Sequence, residues 1–143
     1  MKLVFGFMST TSYSRYALLD RPVLSIVLLS LLLRLATSLA LLATHSFLPS
    51  FDASATLLSS PLNPIYQAFV RWDTVYFVDI AKEGYTQEQR LAFTPGLPML
   101  LRGGAELLRR VKGAGQASTE DLVLAGMIST TFATTGAAVL LYK

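Results

Sequence analysis

Polar positions thin out in two long stretches of this chain and crowd into one. Residues 23–44 read VLSIVLLSLLLRLATSLALLAT, 22 positions with Arg34 as the single charge. A helix needs about 20 apolar residues to cross a bilayer core, so this stretch predicts a first transmembrane helix, with Pro22 at its first helical position. The apolar core of a secretory signal is shorter, about 7–15 residues. Residues 122–142 are 21 positions without a charge and predict another span. The preface Ser118-Thr119-Glu120-Asp121 supplies a capping hydroxyl and first-turn acids. Gly126, Gly136 and the many Ala and Thr residues of that run suit close helix packing. Between the two lies an apolar run, 91–108, broken by Pro95, Gly96, Pro98 and Arg102-Gly103-Gly104. It reads as a transmembrane or re-entrant helix, because irregular backbone at membrane depth must be buried in protein or line a cavity.

Basic residues orient these elements. Lys2, Arg15 and Arg21 precede the first span, and the roughly 20 residues after it carry no Lys or Arg. Residues 1–22 are therefore expected in the cytoplasm and 45–90 on the far side. Arg109, Arg110 and Lys112 place 109–121 back in the cytoplasm, which requires 91–108 to cross. The expected architecture is all-α and polytopic, with about three transmembrane helices. A chain ending directly after a span is expected to be the N-terminal part of a larger polytopic protein, or a truncated product.

Composition agrees. Of 143 residues, 52% are hydrophobic and 15% charged, with a mean hydropathy of +0.50; soluble domains carry about 25% charged residues. The net charge of +3 has no clustered basic face, which argues against nucleic acid as a partner. There is no cysteine and one histidine, His45, so thiolate sites are excluded and a zinc or haem site is not expected.

The polar stretch lies in the 45–90 loop. Asn63-Pro64 reads as a helix start and Gly84 as its stop, predicting an amphipathic helix over 64–83. On a wheel of about 100° per residue, Phe69, Val70, Tyr76, Phe77, Ile80 and Ala81 share one face. Asp73 falls near the centre of that face, whereas Asp79 lies toward the polar side. A carboxylate forced into apolar surroundings is desolvated unless cations or donors hold it. Three roles fit Asp73: cap of a helix that begins later, partner of Arg34 or Arg71, or general base in a cleft. Arg34, costly inside a bilayer, either pairs with a carboxylate or holds an anionic lipid phosphate. Trp72 and Tyr76 serve as interfacial anchors or stack on a sugar. Pro95-Gly96 starts a helix, whose end would offer N–H groups to a phosphate.

The ordered set Arg71-Trp72-Asp73, Ile80-Ala81, Glu83-Gly84-Tyr85, Glu88, Ala92-Phe93 and Pro95-Gly96-Leu97-Pro98 resembles the first luminal loop of the PIG-V family of GPI mannosyltransferases. The first span, with its internal Arg34, fits too, so the likeness covers roughly 23–108. Thr94 stands where the family usually has a second aromatic. The resemblance implies the N-terminal part of a glycosyltransferase-C-type fold. It also implies a multi-pass endoplasmic-reticulum protein with a cytoplasmic N-terminus. The implied activity is transfer of the second mannose onto a GPI precursor from dolichyl-phosphate mannose, with no cofactor. The donor, the GPI-precursor acceptor and membrane lipids are the implied partners, along with a small membrane subunit. Trp72 and Asp73 match the family's expected site, with Asp73 the expected catalyst. Arg34, Tyr76, Pro95 and Gly96 are candidate substrate-binding residues. The alternatives from other classes are a non-catalytic small membrane subunit and a related lipid-linked-sugar glycosyltransferase with another acceptor.

Overall fold

The two longest apolar runs form the two longest helices. The structure, a computed structural model, describes residues 21–48, 54–58, 60–113 and 115–142. The expected cytoplasmic segment 1–22 lies almost wholly outside the described residues. α1 spans Pro22–Phe47 and α5 spans Thr119–Tyr142. At 1.5 Å per residue they are about 39 and 36 Å long, enough for a hydrocarbon core of about 30 Å. Between them lie α2 (Pro64–Gln67), α3 (Thr74–Glu83) and α4 (Gly96–Lys112), with 3₁₀ turns at Ser54–Leu57 and Glu88–Ala92. No strand occurs among the described residues.

α1 and α5 run antiparallel. Ser30 and Thr135 share a hydrogen bond of 3.0 Å, while Arg34 and Thr130 line one cavity. The connection holding α2, α3 and α4 therefore leaves and returns at the same end of the pair. No residue of α1 is buried. Ser30, Arg34, Ser38, Leu42 and His45 are half-buried at helical spacing, while Leu29, Leu32, Leu33, Leu35 and Leu39 are exposed. Such an apolar face is stable in lipid and not in water.

Two expectations are corrected here. The helix over 64–83 is not continuous. Asn63 caps α2, its side chain accepting from Ile65 N at 3.1 Å, but α2 stops after one turn. Phe69 N and Val70 N close short-range bonds to Tyr66 O and Gln67 O. Val70 is fully buried, and Trp72 takes φ +50°. The chain then restarts as α3 and ends at Gly84, whose φ of +81° suits glycine. The run 91–108 is also not one helix: 91–95 are turn and loop, and α4 begins at Gly96 and continues to Lys112. Its 17 residues carry Arg102, Glu106, Arg109, Arg110 and Lys112. Among the described residues only α1 and α5 are long and apolar enough to cross a membrane.

The core forms where α3, α4 and α5 meet, around Val70, Val75, Val78, Leu101, Ala105 and Leu122. α4 and α5 approach closely through small residues. A Cβ on Gly104 would lie 2.8 Å from Ala125 Cβ, and one on Gly126 3.1 Å from Leu101 Cδ2. The turn between them is held at both ends. Gly113, at φ +66°, closes α4 in the left-handed region. Ser118 opens α5 with a reciprocal cap: its Oγ accepts from Asp121 N at 3.1 Å, and its N–H donates to Asp121 Oδ2 at 2.9 Å. Lys112 pairs with the same carboxylate.

Candidate functional site

The break before α3 decides what the Trp-Asp pair can do. Trp72 is 72% exposed and carries the strained left-handed backbone at this turn. Asp73 is the residue before α3, its carbonyl accepting from Phe77 N at 3.2 Å, but its side chain caps nothing. It is exposed and makes no ion pair with Arg34 or Arg71. A continuous helix would have turned Asp73 into the apolar face; the kink at Trp72 turns it out. Arg71 instead donates from Nη2 to His45 Nδ1 at 3.0 Å, tying the turn to the end of α1.

Arg34 faces inward. It lines a cavity of about 280 Å³ with Thr74 and Phe77 of α3, Leu97 and Leu101 of α4, and Met127 and Thr130 of α5. Its Nε is buried with no hydrogen-bond partner, and no carboxylate pairs with it among the described residues. Of its two expected roles, pairing with a carboxylate on another helix and holding a lipid phosphate, the first has no partner among the described residues. A buried N–H without an acceptor is costly, and this one suits an anion that enters the cavity. Thr74 in the cavity wall directly follows Asp73, which itself does not line the cavity. Pro95 and Gly96 form the start of α4, with Met99 N bonded to Pro95 O at 3.0 Å. They directly precede Leu97, which lines the cavity, and do not line it themselves.

The aromatics have defined neighbours. Phe93 stacks on Tyr76 with centroids 4.9 Å apart and meets Phe77 edge-on at 5.1 Å. Tyr85 Oη donates to Phe93 O at 2.9 Å. Tyr76 is thus packed against protein, not spread as a free interfacial anchor.

Sequence reasoning missed the buried charge cluster. Asp79, placed on the polar side by the wheel, is 7% exposed, and Arg90 is 4% exposed. Arg90 Nη2 meets Asp79 Oδ2 at 3.1 Å and Nη1 meets Glu83 Oε2 at 3.2 Å. The same guanidinium donates to Gly84 O and Thr86 Oγ1. The available signal was two acids at i and i+4, followed across a glycine turn by one arginine. No group of three or more metal-ligating side chains occurs among the described residues.

A family model described as Mannosyltransferase (PIG-V) matches residues 12–134. The chain belongs to the PIG-V mannosyltransferase family. The match takes in all of α1, the whole Trp-Asp turn and α5 as far as residue 134. GPI mannosyltransferase 2 of Cryptococcus neoformans is 36% identical over 96 residues, which are 67% of this chain and 22% of that protein. GPI alpha-1,6-mannosyltransferase 2 of Cricetulus griseus is 37% identical over 68 residues, 48% of this chain and 14% of the relative. The human protein of that name is 33% identical over 69 residues, 48% and 14%. The chain thus spans about a fifth or less of the length of these PIG-V relatives. No solved structure matches.

Proposed function

We propose that the polypeptide containing these residues is a mannosyltransferase of GPI-anchor synthesis. It moves the second mannose from dolichyl-phosphate mannose onto the GPI precursor at the luminal face of the endoplasmic reticulum. Family membership and the names of the relatives support the reaction class. The observation that carries the site is the cavity in which Arg34, its buried Nε unpartnered, shares a wall with Thr74, the residue after Asp73.

In this reading the donor phosphate enters beside Arg34, with its isoprenoid along the apolar walls. The acceptor hydroxyl oxygen attacks the donor's anomeric carbon. Its proton passes to the Asp73 carboxylate as the new C–O bond forms. The bond from that carbon to the phosphate oxygen breaks, and its electron pair leaves with dolichyl phosphate. Arg34 stabilises the charge gathering on that oxygen. Lys2, Arg15 and Arg21 set the N-terminus in the cytosol, so α1 runs outward and the α2–α4 connection lies in the lumen. That arrangement puts 109–121 on the same side as 45–90, contrary to the expectation from Arg109, Arg110 and Lys112, which required α4 to cross. Arg109 and Arg110 are engaged by Glu106, and Lys112 by Asp121.

The test expresses the whole gene product in cells that lack this transfer and accumulate the one-mannose GPI intermediate. Mass spectrometry should show that intermediate converted to the two-mannose form. Persistence of the intermediate with the protein present at normal level overturns the proposal. It leaves a non-catalytic subunit or a transferase with another acceptor.

A further inference from the structure

A second cavity lies on the other face of α3. It has a volume of about 320 Å³ and is lined by Tyr76, Asp79, Glu83, Gln87, Gln89 and Arg90. At about 100° per residue, Val75, Tyr76, Asp79 and Glu83 project opposite to Thr74, Phe77 and Val78, which face the Arg34 cavity. Asp73, at the start of the helix, falls between these two directions. Phe93, held between Tyr76 and Phe77, packs on that same side of α3. One helix thus separates an apolar chamber from a polar one, with the proposed base at its end.

The chemistry of the second chamber selects its ligand class. Its size is at the lower end of ligand pockets, about 300–1,000 Å³. Arg90 is spent on Asp79, Glu83, Gly84 and Thr86, so its charge is neutralised internally. Among the described lining residues two carboxylates face one guanidinium, a balance that disfavours a phosphate. Gln87 and Gln89 are exposed, and no hydrogen bond engages either carboxamide among the described residues. A carboxamide both donates and accepts, which matches neighbouring hydroxyls. Glu83 adds an acceptor, and Tyr76 adds a ring fixed by Phe93.

We propose that this chamber seats a neutral hexose of the acceptor glycolipid. It holds the sugar by hydroxyl contacts to Gln87 and Gln89 over the Tyr76 ring, the end of the chamber that lies about one turn of α3 from Asp73. Donor and acceptor then approach the catalytic carboxylate from opposite faces of α3. Arg90 is a positioning residue here, because it fixes the turn that carries both glutamines. The proposal rests on the mannosyltransferase reading.

The experiment measures mannose transfer in microsomes carrying the whole gene product, varying dolichyl-phosphate mannose and the one-mannose GPI glycolipid separately. The double variant Gln87→Ala/Gln89→Ala should raise the acceptor KM about tenfold, with donor KM and kcat at wild-type values. Methyl α-mannoside should compete with the acceptor in the wild type and lose potency in the variant. An unchanged acceptor KM, or a rise confined to the donor KM, overturns the proposal. Wild-type microsomes that transfer no mannose would instead refute the underlying mannosyltransferase reading. Both glutamines are exposed, so each single variant should remain folded and report an intermediate KM; single variants at the wild-type acceptor KM would count against the proposal.

Discussion

Two aspartates six residues apart are treated in opposite ways. Asp79, in the middle of α3, is buried and clamped by Arg90. Asp73, at its start, is exposed and makes no ion pair among the described residues. A buried carboxylate requires a partner, and once partnered it is spent on holding structure. An exposed carboxylate one residue from a cavity wall is not spent in this way. The sequence wheel places the two the other way round, with Asp73 in the apolar face and Asp79 toward the polar side, although the family resemblance already pointed to Asp73 as the catalyst. The kink at Trp72 reverses them.

The comparison is broken most strongly at Arg90. Arg90→Leu removes the guanidinium that pairs with buried Asp79, and unfolding of the purified whole protein in detergent should show a loss of about 3–5 kcal/mol. The double variant Asp79→Leu/Arg90→Leu removes the charge with its partner and should recover most of that loss. No recovery would mean that the pair is not the structural element described here.

Trp72 sharpens the other half. A left-handed backbone costs a non-glycine residue about 1–2 kcal/mol. Trp72→Gly relieves that strain and should raise stability by about 1 kcal/mol at most. Transfer should fall in the same variant, because the turn that aims Asp73 loses its rigidity. Stability that falls instead would show that the Trp72 side chain contributes more than its backbone costs.

A third carboxylate gives the smallest effect. Glu106 is half-buried and paired: hydrogen bonding from Arg109 lowers its pKa from 4.5 to about 2, against the opposing effect of burial and with further help from Arg110. A folded value below the unfolded one means a contribution fully present above pH 4.5 and lost as the pH falls through about 2. Between pH 5 and pH 2.5 the wild type should lose slightly more thermal stability than Glu106→Gln. Parallel losses would show that the pairing with Arg109 does not persist in solution.

Much of the framework was legible in local pattern. The length and apolarity of α1, the Asn63 cap, Gly84 at the end of α3 and the Ser118–Asp121 cap all depend on neighbours within a few residues. The kink was not legible, because residues 68–73 contain neither Gly nor Pro. Burial of Val70 and the tie from Arg71 to His45 hold it, and both are tertiary. The Asp79–Arg90 pair depends on the path of the loop after Gly84, which a wheel does not carry. The middle run misled because hydropathy averaged over 91–108 hides both its late start at Gly96 and the charges spaced along one side of α4. Of the candidate site, Arg34 and the Trp-Asp pair could be picked out from sequence. Thr74, which links them through one cavity wall, could not.

The central claim is that Asp73 serves chemistry and Asp79 serves structure. Mannose transfer per folded molecule, measured for Asp73→Asn and Asp79→Asn in the whole gene product, tests it most directly. The account predicts that Asp73→Asn loses about 10²–10⁴-fold in kcat with its unfolding temperature unchanged. Asp79→Asn should lower the unfolding temperature, while the molecules that remain folded turn over near the wild-type rate. An active Asp73→Asn, or a fully stable but inactive Asp79→Asn, would contradict it.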